Sequence, residues 1–155
     1  MFWHGRPVKY DHIIVKGDLD LSQLSLQTNI SSPIRINDST FDGIVSSKYI
    51  VLDEPFNLSS SNFTKDLYFK GYTFNGCAYF HSSNFSGIAD IERSRFNSSA
   101  EFGSSKFNLS SDFQDSMFIS AIADFVGFEF NGPANFVHSN FSSILAKYSN
   151  FNSYK

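Results

Sequence analysis

The chain has little of what most folded domains lean on. Its 155 residues include one Cys, four Pro, two Met and one Trp. With Cys77 alone no internal disulfide can form, so nothing points to an oxidising compartment, and the residue reads as a small buried side chain. Charged residues make up only 17%, and a net charge of -3 with a pI of about 5.7 leaves no basic stripe to hold nucleic acid. No run approaches the ~18 apolar residues of a membrane span. The opening Met1 to Pro7 lacks the apolar segment of a signal peptide, which makes the cytoplasm the default compartment. A Gly-rich phosphate loop, a nucleophile elbow and a paired-carboxylate motif are all missing. His4, His12, His81 and His138 have no metal-ligand spacing with one another or with Cys77. The expectation is therefore no enzymatic activity, no cofactor and no metal.

What the chain has instead is Phe, nineteen of them, and sixteen fall on one register. The register advances by alternating steps of six and five residues through Phe63, Phe69, Phe74, Phe80, Phe85, Ile91, Phe96, Phe102, Phe107, Phe113 and Phe118. Toward the C-terminus it continues through Phe125, Phe130, Phe136, Phe141, Ala146 and Phe151, with one extra residue between Phe118 and Phe125. Toward the N-terminus it extends through Leu58, Leu52, Ser47, Phe41, Ile36, Ile30, Leu24, Leu19 and Ile13. Two residues before these positions stands a small residue, as in Ala78, Ser83, Ala89, Ser94, Ala100, Ser105, Ser111 and Ser116.

An eleven-residue period also fits three helical turns. At about 100° per residue, however, steps of five and six place successive Phe roughly 140° and 240° apart, which scatters them around the circumference. The intervening Ser, Asn and Gly are poor helix formers. In an extended segment, by contrast, the small residue and the Phe two positions later share one side. Short extended segments, each presenting one large and one small group inward and each followed by a turn, describe a β-solenoid.

The units Ala78-Tyr79-Phe80-His81-Ser82, Ala89-Asp90-Ile91, Ala100-Glu101-Phe102, Ala123-Asp124-Phe125 and Ala134-Asn135-Phe136 resemble the pentapeptide-repeat family, as does the opening Gly17-Asp18-Leu19-Asp20-Leu21. The sixth residue in alternate units is a departure, placed at corners where a looser turn absorbs it. The resemblance implies an all-β fold, a right-handed four-sided parallel β-helix with about 22 residues per coil and roughly six coils. Residues 1–12 are expected to form an N-terminal capping segment, through Phe2, Trp3 and Pro7, and residues 13–155 the β-helix, with its strongest repeats over 56–151. On the four-sided plan the core columns are Phe63, Phe85, Phe107, Phe130 and Phe151; Phe69, Ile91, Phe113 and Phe136; Phe74, Phe96, Phe118 and Phe141; and Phe80, Phe102, Phe125 and Ala146. Each buried Phe contributes on the order of 1.5–3 kcal/mol before the entropy of ordering the chain is subtracted. Leu67, Tyr72, Phe128 and Ile144 stand at small positions, so bulging or outward rotation is expected there.

Function is expected on the outside, since a solenoid repeats its outward side chains at every coil. Asp90 over Asp112, and Glu101 over Asp124, are expected on adjacent faces as an acidic patch for protein binding, with Lys106, Arg95, Asn62, Asn84 and Asn140 on the other two. Asn108, Asn131 and Asn152 above Ser86 are expected to form an Asn ladder. Eight Asn-x-Ser/Thr sequons (Asn29, Asn37, Asn57, Asn62, Asn84, Asn97, Asn108 and Asn140) follow from a Phe flanked by Asn and Ser. These features favour a non-catalytic scaffold or protein-binding module. The alternatives are a spacer or fragment of a larger protein, and a DNA mimic that binds a type II topoisomerase, as the resemblance implies for some family members. Mimicry asks for a strongly acidic surface, and a net charge of -3 falls short of it. An unknown protein partner is expected, with no nucleic acid and no membrane, together with an end-to-end homodimer through the C-terminal coil.

Overall fold

The computed structural model describes residues 6–24, 29–145 and 150–151. Phe2, Trp3, Ala146 and Asn152 of the expected cap, core and ladder lie outside the described residues, and of Phe151 only the strand position is described. Apart from one 3-10 turn at Leu21–Leu24, the regular structure is β, and the strands pair in parallel. One turn of the chain uses four short strands, Asn62–Phe63, Leu67–Lys70, Thr73–Phe74 and Ala78–Tyr79. The next strand, Asn84–Phe85, lies on the first, with Phe85 over Phe63. We number the faces one to four in that order. Face two contains six stacked strands, from Leu19–Asp20 to Ala134–Asn135, which counts the turns of the solenoid. The pairing reaches down to Val8–Asp11 on face four, within the segment expected as a cap.

The four Phe columns pile up inside. Rings of successive coils lie nearly parallel with centroids 4.7 Å apart for Phe74 and Phe96, 4.6 Å for Phe85 and Phe107, and 4.6 Å for Phe96 and Phe118. Aromatic pairs left to themselves prefer offset or edge-on arrangements. Here the strand spacing of about 4.8 Å sets the separation and imposes the stack. The edge-on contacts occur between columns instead, as between Phe102 and Phe113 at 88°. Phe63, Phe74, Phe80, Phe85, Phe96, Phe102, Phe107, Phe113, Phe118, Phe125 and Phe130 are all buried, while Phe136 and Phe141 on the outermost coil are partly buried.

The alternation of five and six reflects two kinds of corner. After faces two and four the corner is tight, and the residue two past the central one is left-handed: Tyr49, Gly71, Arg93, Asp115 and His138 on one edge, Asp38, Ser60, Ser82, Ser104 and Gly127 on the other, with φ from 51° to 70°. After faces one and three a wider corner takes the sixth residue. There the chain runs close to the coil below: a Cβ on Gly87 would lie 2.5 Å from the carbonyl carbon of Lys65.

The two corners also separate Ala from Ser. Behind a tight corner, the buried Ser hydroxyl bonds two backbone groups of the coil below, one on each side of that coil's corner. Ser105 Oγ donates to the Phe80 carbonyl at 2.7 Å and accepts from the Ser83 N–H at 3.2 Å. The same pair of bonds recurs at Ser83 on face one and at Ser94 and Ser116 on face three, and at Ser61 with the carbonyl bond, to Ile36, lengthened to 3.5 Å. Behind a wide corner the position is Ala (Ala78, Ala89, Ala100, Ala123), and Ser111, which stands in an Ala place, has a buried hydroxyl with no partner.

Outward rotation does not occur at three of the four oversized positions. Leu67, Tyr72 and Phe128 point inward, 1%, 0% and 0% exposed, and the pairing of Leu67 with Val45 and Ala89 runs through without a bulge. Tyr72 fits because the nearby centre of face two is Ser47 rather than Phe, so a large residue at a small position is matched by a small residue at a large one. Phe128 packs edge-on to Phe130 at 4.1 Å. Ile144 is 49% exposed on the outermost coil. The real irregularity lies at the inserted residue: Met117–Asp124 runs continuously from face three to face four, and its pairing with Asn140–Leu145 shifts register between Phe118 and Ile122.

Candidate interaction faces

The outward side chains form columns, and their positions correct the expected acidic patch. Asp90 and Asp112 pair on face two, Glu101 and Asp124 on face four. The strands of face three come between them in each turn, as Thr73–Phe74 does between Leu67–Lys70 and Ala78–Tyr79. The four carboxylates are thus two pairs on opposite faces and not one patch. The steps of the repeat contain this order, since two units separate Ile91 from Phe102.

Three of these carboxylates also have a local task. Asp90 Oδ1 accepts from the Glu92 N–H at 3.1 Å, Asp112 Oδ1 from Gln114 at 2.8 Å, and Asp124 Oδ1 from Val126 at 2.8 Å. Asn57 and Asn135 make the same bond. A short side chain with a carbonyl oxygen closes the tight corner in this way, which is why Asp and Asn recur on faces two and four.

Face two carries the most varied chemistry. Its outward column runs Asp20, Ser46, Tyr68, Asp90, Asp112, Asn135. Ser46 is a short member between longer neighbours, and the dip it leaves belongs to a groove of about 670 Å³ lined by Asp20, Ser22, Ser46, Lys48, Tyr68, Lys70 and Asp90. Tyr68 donates to Asp66 at 2.8 Å, and this bond, with partial burial and the carboxylates of Asp66 and Asp90, raises its phenol pKa. The hydrogen bond to Glu92 likewise raises the Lys70 ammonium. Along the edge beside face two runs a chain of alternating charge that the Phe register does not reveal. Lys70 bonds Glu92, Arg93 lies 3.0 Å from Glu92 and 4.0 Å from Asp115, and His138 lies 3.3 Å from Asp115. Its signal in the sequence is charge of opposite sign recurring at the coil length.

Faces one and three are held by amides. On face one Asn131 donates to Asn108 at 3.1 Å, Asn108 to Asn84 at 2.8 Å, and Asn84 to Asn62 at 2.8 Å. The ladder expected from Asn108 and Asn131 is present, but below Asn108 it steps across to Asn84, which also bonds Ser86 at 3.1 Å. A second ladder on face three, Asn97 to Asn75 to Asp53 at 2.8 Å each, was not anticipated. Its bond from Asn75 lowers the Asp53 carboxyl. Several sequon asparagines are therefore rungs or corner caps. Lys106, expected on a basic face, is paired with Glu129 at 3.2 Å. Arg95 bonds Asn97 at 3.0 Å. Cys77 is half-buried rather than buried, and its contact with the Ser98 hydroxyl at 3.3 Å lowers the thiol pKa.

Among the described residues no helix is long and apolar enough to cross a membrane, and no three His, Cys, Asp or Glu gather as a metal site. No curated protein and no solved structure matches the chain. Residues 58–105 match the family model for pentapeptide repeats (9 copies). The same unit continues in register beyond both ends of that match, in strands of the same four columns, so the β-solenoid extends the repeat past the matched residues.

Proposed function

We propose that the chain is a non-catalytic protein-interaction module that receives its partner on face two. The observation that carries this reading is the groove over Ser46. It has the carboxylates of Asp20 and Asp90 at its ends and the Tyr68 ring between them. A basic side chain from a partner is placed with its charge over the ring and its donors toward a carboxylate; of the two lysines that also line the groove, Lys70 is occupied by Glu92, and Lys48 beside it is the cation this side chain must avoid. A rigid tube holds such a column at fixed spacing and so presents the face without an ordering cost.

The corner bond dictates how to test this. Asn accepts the same N–H as Asp, so Asp90→Asn with Asp112→Asn removes the charge and keeps the turn. A photo-crosslinking residue at Tyr68 is expected to capture a protein in host extract that the same residue at Asn62 on face one does not. The double Asn variant is expected to lose that capture with an unchanged circular dichroism spectrum. Equal capture from both faces would overturn the assignment to face two. The DNA-mimic alternative receives less support, because the four carboxylates are divided between opposite faces.

A further inference from the structure

Over the groove, face two presents side chains and no open backbone. The strands that form it, Leu19–Asp20, Val45–Lys48, Leu67–Lys70 and Ala89–Asp90, pair one with the next along the axis of the solenoid, which uses their backbone N–H and C=O groups. A partner strand has no edge to join there, so whatever lies on the face is read by its side chains.

The groove has an order of charge along the axis. Asp20, Ser46, Tyr68 and Asp90 stand on four successive coils, and Lys48 points outward from the same strand as Ser46. Lys48 is exposed and has no ion pair among the described residues, whereas Lys70 is held by Glu92. Coil by coil the groove therefore offers a carboxylate, a cation, a ring and a carboxylate, the last three about 4.8, 9.6 and 14.4 Å above the first. The shoulder toward face one is apolar, with Ile88 38% and Leu109 51% exposed.

An α-helix laid along the axis matches these heights. Its side chains at i+3, i+7 and i+10 share one face with that at i and rise ~4.5, ~10.5 and ~15 Å above it, within about 1 Å of the coil at every step. An extended chain presents a side chain every ~6.6–6.8 Å and is out of step at the first contact.

We infer that face two takes an amphipathic helix of a partner protein, lying along the solenoid axis. A basic residue at i lies over Asp20, an acidic one at i+3 toward Lys48, an apolar one at i+7 on the Tyr68 ring, and a basic one at i+10 over Asp90. This rests on the assignment of the partner to face two made above and gives that partner its chemistry. The acidic residue separates such a helix from any merely cationic segment, because it turns Lys48 from a clash into a counter-ion.

The test uses a labelled peptide stapled into a helix, with Lys at its first and eleventh positions, Glu at its fourth and Leu at its eighth, and fluorescence anisotropy at low salt. The parent chain is expected to bind it about fivefold more tightly than the same peptide with Lys at the fourth position, which is what one exposed ion pair is worth. Lys48→Glu, a change at an exposed side chain, is expected to reverse that order with an unchanged circular dichroism spectrum. The same order on both proteins overturns the inference, and so does equal binding by an unstapled version interrupted by Pro. Binding of neither peptide overturns it as well. If photo-crosslinking at Tyr68 still captures a host protein that the probe at Asn62 does not, face two keeps its role with another kind of occupant; if that capture is also absent, the function proposed above falls with the helix.

Discussion

Ser105 and Ser111 are both buried and both stand two residues before an inward Phe, yet their hydroxyls differ completely. The Ser105 hydroxyl bonds two backbone groups of the coil below, and the Ser111 hydroxyl bonds nothing. Replacing Ser105 by Ala leaves a buried N–H and a carbonyl unpaired and is expected to cost about 1–3 kcal/mol. Ser111→Ala removes a buried unpaired hydroxyl and is expected to be neutral or to stabilise by about 1 kcal/mol. Urea titration of the two variants measures both, and a similar loss at both sites would show that the corner type does not decide the residue. Tyr72 poses the same problem at larger size. Its hydroxyl is buried near the Ser47 hydroxyl without a well-formed bond to it, and burial holds the phenol protonated far above its ordinary 10.0. Because the raised value belongs to the folded chain, this contribution is intact below pH 10 and is lost as pH rises past it, when the unfolded chain ionises first. Tyr72→Phe is therefore expected to unfold less readily than the parent above pH 10, with the two curves running parallel at neutral pH.

At the scale of the element, the corner is the unit that organises the fold. Left-handed backbone costs a non-Gly residue roughly 1–2 kcal/mol, and Gly71 and Gly127 occupy such positions where Ser82 and Ser104 also stand. Ser82→Gly is expected to gain up to about 1 kcal/mol after the entropic penalty of Gly is subtracted. Gly87→Ala, at a wide corner, drives a Cβ into the Lys65 backbone and is expected to cost about 1–3 kcal/mol. Opposite signs in thermal melts would confirm that the two corners differ; equal losses would refute it. Much of this was legible beforehand. The inward columns followed from the Phe steps alone, because a period of five and six leaves no single stripe on a helix and a consistent one on short strands. The Ala and Ser alternation was equally visible, but space alone does not explain it: the reason is a hydrogen bond that exists only behind a left-handed residue. The oversized Tyr72 was misjudged because its accommodation depends on Ser47, twenty-five positions earlier in the chain, and a register of large residues does not record a missing one.

For the whole molecule, each coil rests only on its neighbours, so the stability of a residue depends on how many layers cover it. Phe96 lies between Phe74 and Phe118 in a continuous stack, and Phe96→Ala is expected to cost about 3–5 kcal/mol. Among the described residues Phe141 stacks on Phe118 alone in its column, and its partial burial makes Phe141→Ala the milder change. Urea titration of the two variants measures the difference, and equal losses would show that the number of covering layers does not set the cost. Hydrogen exchange reports the same difference by position. Arg95–Phe96 pairs with a strand on each side, whereas Asn140–Leu145 has one strand neighbour among the described residues, so amides of Asn140–Leu145 are expected to exchange faster. Equal protection of the two sets would show that this coil is covered as fully as the middle of the stack.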